Sequence, residues 1–161
     1  MSVTEINSKF TITQSGTYTL GKDIEHGGGT HLSEACIQIN ADNVVFDGRG
    51  LILGGKGVSD TSGIVAQNVR NVTVKNVTVT RWDYGIRFEN VIGGVVENVN
   101  ADANGYGISF KDTYMAVVRD TNVENNLLGV VFDSLSDATL WNNTIQSNSG
   151  RDVFRYPDWL E

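Results

Sequence analysis

The sequence predicts an all-β chain. Its fold class is a right-handed parallel β-helix, a single-stranded solenoid of about 22 residues per coil with three short strands in each coil and capped ends. Three observations predict it: an ungapped repeat, apolar alternation of period two inside each copy, and an Asn or Asp recurring at one turn position. The composition agrees. Twenty Val, 18 Gly and 16 Asn favour strands and tight turns over helices.

The repeat comes first, because periods of this length mean stacked architectures. Segments 63–84, 85–106, 107–128 and 129–150 align without gaps. Gly63, Gly85, Gly107 and Gly129 open them, Ile64, Ile86, Ile108 and Val130 follow, and Phe88, Phe110 and Phe132 recur at the fourth position, where the first copy has Ala66. An irregular earlier copy spans 36–62, and a fifth begins at 151–154. Within a copy, Ile64 and Ala66 point one way and Val65 and Gln67 the other; Val72 and Val74 alternate with Thr73 and Lys75, and Val77 and Val79 with Thr78 and Thr80. Leucine-rich repeats have a similar period but demand Leu at fixed offsets and usually a helix, and neither is seen.

The turns and outer faces support the same register. Asn76, Asn98, Asp120 and Asn142 share the corner between the second and third strands. Such side chains tolerate left-handed backbone and can also bond to one another from coil to coil. Gln67, Glu89, Lys111, Asp133 and Arg155 form one outward row, and Asp47, Lys75, Glu97, Arg119 and Trp141 another. Sign alternates along each row, so neighbouring charges are expected to pair, with Arg119 against Trp141 as a cation–π end.

Residues 1–35 lack the repeat and are assigned to an N-terminal cap and first irregular coil, with a strand pair around Ser15-Gly16. Residues 36–150 form the regular coils, and 151–161 a C-terminal cap in which Tyr156, Pro157 and Trp159 cover the last coil. Leu160-Glu161 has the character of a tag remnant, which would make the chain a piece of a larger protein. One domain is expected in all.

Charge and composition exclude several functions. Twelve basic against 19 acidic side chains give a net charge of −7, which disfavours nucleic acid and anionic membrane surfaces. No apolar run is long enough to span a bilayer, so no membrane insertion is expected. The N-terminal stretch 1–20 does not read as a signal peptide. The single cysteine, Cys36, excludes an internal disulfide. The GGKG string at 54–57 lacks phosphate-loop spacing and a following helix.

From about residue 10 to 154, GTYTLGKDI, ACIQI, ADNVVFDGRG, NVTVKNVTVT and GIRF resemble the right-handed β-helix repeats of the carbohydrate-binding and sugar-hydrolase group, in the pectate-lyase-like superfamily. The NosD-type repeat is the nearest in flavour. The resemblance implies an extracytoplasmic setting, secreted or on a cell surface, and a polysaccharide or cell-surface glycan as partner. The enzyme strings of that superfamily (Asp-Asp with Gly-His-Gly and Arg-Ile-Lys, or Asp-Pro-His) do not occur in this chain. If the chain were an enzyme, Arg87, Glu89, Lys111 and Asp133 would be its catalytic wall, but these charges alternate rather than cluster.

Four candidate sites follow. For a glycan contact, Trp82 would stack on a sugar ring beside Arg87 and Glu89; the plainer reading has Trp82 covering a turn and the charges satisfying one another. For calcium, the like-charged neighbours Asp102 and Glu124, flanked by Asn100, Asn122, Asn104 and Asn126, would offer at best a millimolar site; the alternative is a solvated polar face. No other cofactor is implied. His26, His31 and Cys36 would ligate a soft metal, although their spacing matches no known pattern and Cys36 fits the core. Asn71, Asn76 and Asn142 head Asn-X-Thr sequons, which also arise freely in this repeat.

The sequence therefore predicts a non-catalytic module, a rigid spacer or glycan-binding surface of an extracytoplasmic protein. The alternatives are a polysaccharide lyase, epimerase or hydrolase, and a self-assembling structural segment. Oligomeric state is left open.

Overall fold

The computed structural model describes residues 2–157. Its strands alternate between two parallel sheets as the chain winds. One sheet stacks β1 (Val3–Ile6), β3 (Gly16–Leu20), β5 (Val44–Gly54), β7 (Val72–Thr80), β9 (Val95–Asp102), β11 (Ala116–Arg119) and β14 (Ala138–Trp141). Beside this path, β12 (Asn122–Glu124) pairs with β9 and β15 (Thr144–Gln146). The other sheet stacks β2 (Phe10–Ile12), β4 (Ala35–Ile39), β6 (Ser62–Arg70), β8 (Tyr84–Ile92), β10 (Tyr106–Lys111), β13 (Leu128–Phe132) and β16 (Arg151–Arg155). The fold is a right-handed parallel β-helix. Through the regular coils each strand residue pairs with its counterpart one repeat on, as in Ile64↔Ile86↔Ile108↔Val130.

The second and third strands expected in each coil are two arms of one bent path. In β7 and β9 the bend falls at Asn76 and Asn98, and in the next two coils Asp120 and Asn142 separate the arms. All four sit in the left-handed region, at φ 56, 50, 51 and 54. Among the described residues, eighteen other than glycine have positive φ and eight of them are Asn, half of the sixteen in the chain. The expected ladder forms: Asn98 Nδ2 donates to Asn76 Oδ1 at 2.8 Å, Asn76 Nδ2 to Asp47 Oδ1 at 3.1 Å, and Asn142 to Asp120. It breaks at Asp120, whose carboxylate has no N–H to give Asn98. Asp120→Asn should close the gap and raise stability by about 0.5–1.5 kcal/mol; an unchanged or lower urea midpoint would show that the rungs do not couple.

The glycine register has a steric cause. A Cβ on Gly63, Gly85 or Gly107 would lie 2.7, 2.6 or 2.8 Å from the carbonyl oxygen of the next glycine in the column, and one on Gly129 would strike Asp152 O. Only glycine lets the coils approach this closely. Inside, Phe88, Phe110 and Phe132 stack with centroids 5.7 and 5.3 Å apart. Phe88 and Phe110 are among the largest fully buried side chains.

A second ladder, of buried amides, goes beyond the sequence expectation. Asn104, Asn126 and Asn148 point inward, one coil apart. Asn104 N and Nδ2 donate to Asn126 Oδ1 at 2.8 and 3.1 Å, and Asn126 N and Nδ2 to Asn148 Oδ1 at 3.0 Å each. Each amide also holds a carbonyl of the preceding arm: Val79, Ala101 and Val123 O, each at 3.0 Å. Asn104 and Asn126 therefore satisfy corner backbone and do not flank an outer site.

At the N-terminal end, the strands on either side of Ser15-Gly16 lie in different sheets: β1 pairs with β3 in one and β2 with β4 in the other, as coils of the same helix. In the last coil β16 is displaced by one position, pairing Leu128↔Arg151 and Phe132↔Arg155. Arg155 thus does not continue the outward row above Asp133. Its guanidinium lies 4.9 Å from the Phe132 ring centroid and ends the aromatic stack, while Nη1 donates to Asp133 O and Ser136 O at 2.9 and 2.7 Å. The expected cover from Trp159 and the reading of Leu160-Glu161 as a remnant fall outside the described residues.

Candidate functional site

On the outer face of the second sheet, β8, β10 and β13 floor a cleft of about 490 Å³. Tyr84 and Tyr106, each just before a coil-opening glycine, stack with centroids 4.7 Å apart. The Arg87 guanidinium lies 4.4 Å from the Tyr84 centroid and its Nε is 2.5 Å from Glu89 Oε1. Ser109, Lys111, Asp112, Asp133 and Tyr156 complete the polar lining. Tyr106 is pushed up to about 12 by its hydrogen bond to Tyr156 and then by burial. Burial raises Tyr84 as well, against the Arg87 charge. Both phenols therefore stay protonated at neutral pH, able to donate as well as accept.

The charged row on this face is only partly paired. Glu89 takes Arg87 from its own strand and accepts Gln67 Nε2 at 3.0 Å. Lys111 stands in register with Glu89, yet among the described residues it makes no ion pair. Asp133 is turned to backbone, accepting Asp112 N and Ser136 N at 2.9 Å each. In the other row the expected register is present from Asp47 to Trp141, and Glu97–Arg119, at 2.8 Å, is the ion pair formed. Arg119 Nε also turns to Glu97, at 2.8 Å, rather than to Trp141.

Trp82 is a correction. It is 2 % exposed, and its Nε1 donates to Leu53 O at 3.0 Å. It occupies the inward position that Asn104, Asn126 and Asn148 hold in later coils, and Asn104 Oδ1 caps its backbone N–H at 3.0 Å. No sugar ring can stack on it. The aromatic surface beside Arg87 and Glu89 belongs instead to Tyr84 and Tyr106. The signal for these two is the Tyr-Gly pair that recurs at 84–85 and 106–107. Tyr156 lies after the displacement in β16, beyond the reach of that arithmetic.

Asp102 and Glu124 are neighbours in register on β9 and β12. Asn125 Nδ2 donates to Asp102 at 2.8 Å and Gln146 Nε2 to Glu124 at 3.1 Å, so each carboxylate already has an amide partner. Among the described residues no group of three or more His, Cys, Asp or Glu side chains is placed to hold a metal. The expected His26, His31 and Cys36 set is thus not assembled. Cys36 is fully buried, and burial pushes its thiol up to about 11. The three sequon asparagines hold their amides between coils, with Asn71 Nδ2 donating to Asn43 at 2.8 Å and Asn76 and Asn142 serving the corner ladder. Among the described residues no helix is long and apolar enough to cross a membrane.

Such a stack of coils, with its sidedness and cleft, defines a solenoid protein presenting a flat sheet face. A family model described as "Right handed beta helix region" matches residues 7–155, and the chain belongs to that family. Nothing among curated proteins or solved structures matches it.

Proposed function

We propose that the chain is a non-catalytic β-helix module of an extracytoplasmic protein whose tyrosine-lined cleft binds an acidic glycan. The observation that carries this reading is Lys111, a cation with no ion pair among the described residues, beside the stacked Tyr84 and Tyr106. Aromatic faces suit the apolar face of a sugar ring, phenols and Ser109 suit its hydroxyls, and a free ammonium suits a sugar carboxylate. The acids of the cleft support binding over turnover: Glu89 is committed to Arg87 and Gln67, and Asp133 to two backbone N–H groups. Neither stands free as a general acid or base.

Calorimetry with uronate oligosaccharides and neutral glucans tests the reading. The acidic sugars should bind more tightly, and Lys111→Ala should weaken them about tenfold, near 1.4 kcal/mol. Tyr106→Ala should weaken both classes. If neither class binds, or if both variants bind as the parent does, the cleft is not the site and the module is a spacer alone.

A further inference from the structure

The tyrosine-lined cleft is short, and both of its ends along the solenoid axis are walled. One outward row runs through it, Val65–Arg87–Ser109–Val131–Phe154, each residue in register with the next. Val65 and Val131 face outward in this row, yet they are only 8 % and 2 % exposed. A groove running on along the solenoid would leave both valines accessible. Ser109, between Arg87 and Val131, is half-buried and lines the cleft. At β8 the Arg87 side chain joins the Tyr84 ring, 4.4 Å from its guanidinium, to Glu89, 2.5 Å from its Nε. It therefore spans the floor from the tyrosine side to the row of Glu89 and Lys111. Tyr156 does the same at the other end. Its N–H donates to Phe132 O at 2.9 Å, beside Asp133, while its side chain hydrogen-bonds to Tyr106 across the floor. Its ring meets Phe154 edge-on, with centroids 4.9 Å apart. Two coils, β10 and β13, lie between these walls, about 10 Å at the spacing of strands in a sheet and room for about one or two sugar rings.

We infer that the cleft takes the terminal sugars of an acidic glycan chain and not a stretch of its interior, with Tyr156 as the residue that sets the limit. The inference rests on the reading of the cleft as a glycan site. A chain laid along the solenoid has to climb over Arg87 and Tyr156. One laid across it meets the tyrosine stack on one side and Lys111 with Asp133 on the other. A chain end needs only one way in, from above the sheet. Its ring then lies over Ser109 with Tyr106 on one flank, and its carboxylate reaches the Lys111 ammonium on the other. Both walls are fixed before any ligand arrives. Glu89, which holds Arg87, also accepts Gln67 Nε2, and Arg155 ties the turn before Tyr156 to Asp133 O and Ser136 O. The length limit is therefore part of the fold and needs no closing motion.

Calorimetry with galacturonate and mannuronate oligomers, from monomer to hexamer, and with the intact polymers tests this. In the series that binds, affinity should level off by the trimer, with the hexamer within about twofold of it. At equal mass, polymer cut into shorter chains should take up more protein, in proportion to its ends. Tyr156→Ala should raise the ratio of hexamer to dimer affinity by about fivefold. Tyr156→Phe keeps the ring and should leave that ratio unchanged. Loss of a contact alone would weaken dimer and hexamer alike, so the ratio separates a wall from a mere binding group. Affinity that climbs through the hexamer, uptake that follows polymer mass and not its ends, or a ratio that Tyr156→Ala does not move would each overturn the inference and leave the glycan reading standing. Failure of every oligomer and polymer to bind would overturn both.

Discussion

Replacing Phe110 by alanine lowers the unfolding free energy by roughly 3–5 kcal/mol, the range for truncating a buried aromatic ring. Phe110 is 1 % exposed and lies between Phe88 and Phe132, so the cavity opens in mid-column with rings on both sides. The stack itself adds to the loss, because offset and edge-on ring pairs contribute beyond their buried area. A domain of this size has only about 5–15 kcal/mol in total, so the urea midpoint should fall by a large fraction. Phe110→Leu should cost clearly less. Should Phe110→Asp fold with an unchanged midpoint, the inward assignment of the whole fourth column is wrong.

The second large effect belongs to the buried amide ladder. Asn126→Ala removes the acceptor for Asn104 N and Nδ2 and the donor to Ala101 O and Asn148 Oδ1. Asn126 is 1 % exposed, so water does not replace these bonds without a rearrangement. Unpaired buried polar groups cost about 1–3 kcal/mol each, and a loss of roughly 2–4 kcal/mol is expected. Hydrogen exchange gives the sharper readout: the Asn104 amide should lose protection while the glycine column keeps its own. Retained protection at Asn104 would mean that the ladder is incidental to the corner.

The parts of this molecule legible in its sequence are those set by backbone register. The glycine column, the phenylalanine stack and the outer Asn corner each depend on which residue lies above which, and a strict period states that directly. Trp82 misleads because a large aromatic at a corner looks exposed by type; its row shows that the position is inward, shared with the buried Asn104 and Asn126 and with Asn148. The outward charges mislead for a different reason. Register places Lys111 beside Glu89, but it does not choose rotamers, and Arg87 reaches Glu89 along the same strand. Arg155 and Tyr156 follow the displacement at the last corner, which no periodic count carries through. Near the start, the insertion at 25–34 and the two extra residues where Gly48, Arg49 and Gly50 stand opposite Asn76 hide coils that the strand pairing reveals. The cleft draws on both groups: Tyr84 and Tyr106 lie in the periodic part, and Tyr156 does not.

The claim at the centre of this account is that the tyrosine-lined cleft holds a glycan without cleaving it. Prolonged incubation of the pure chain with acidic polysaccharides, followed by assay for unsaturated and reducing ends, tests it most directly. The account predicts that the polymer is recovered intact, at the level of a protein-free control. Steady release of new ends that is abolished by Glu89→Gln or Asp133→Asn would contradict it and place a catalytic pair in the cleft.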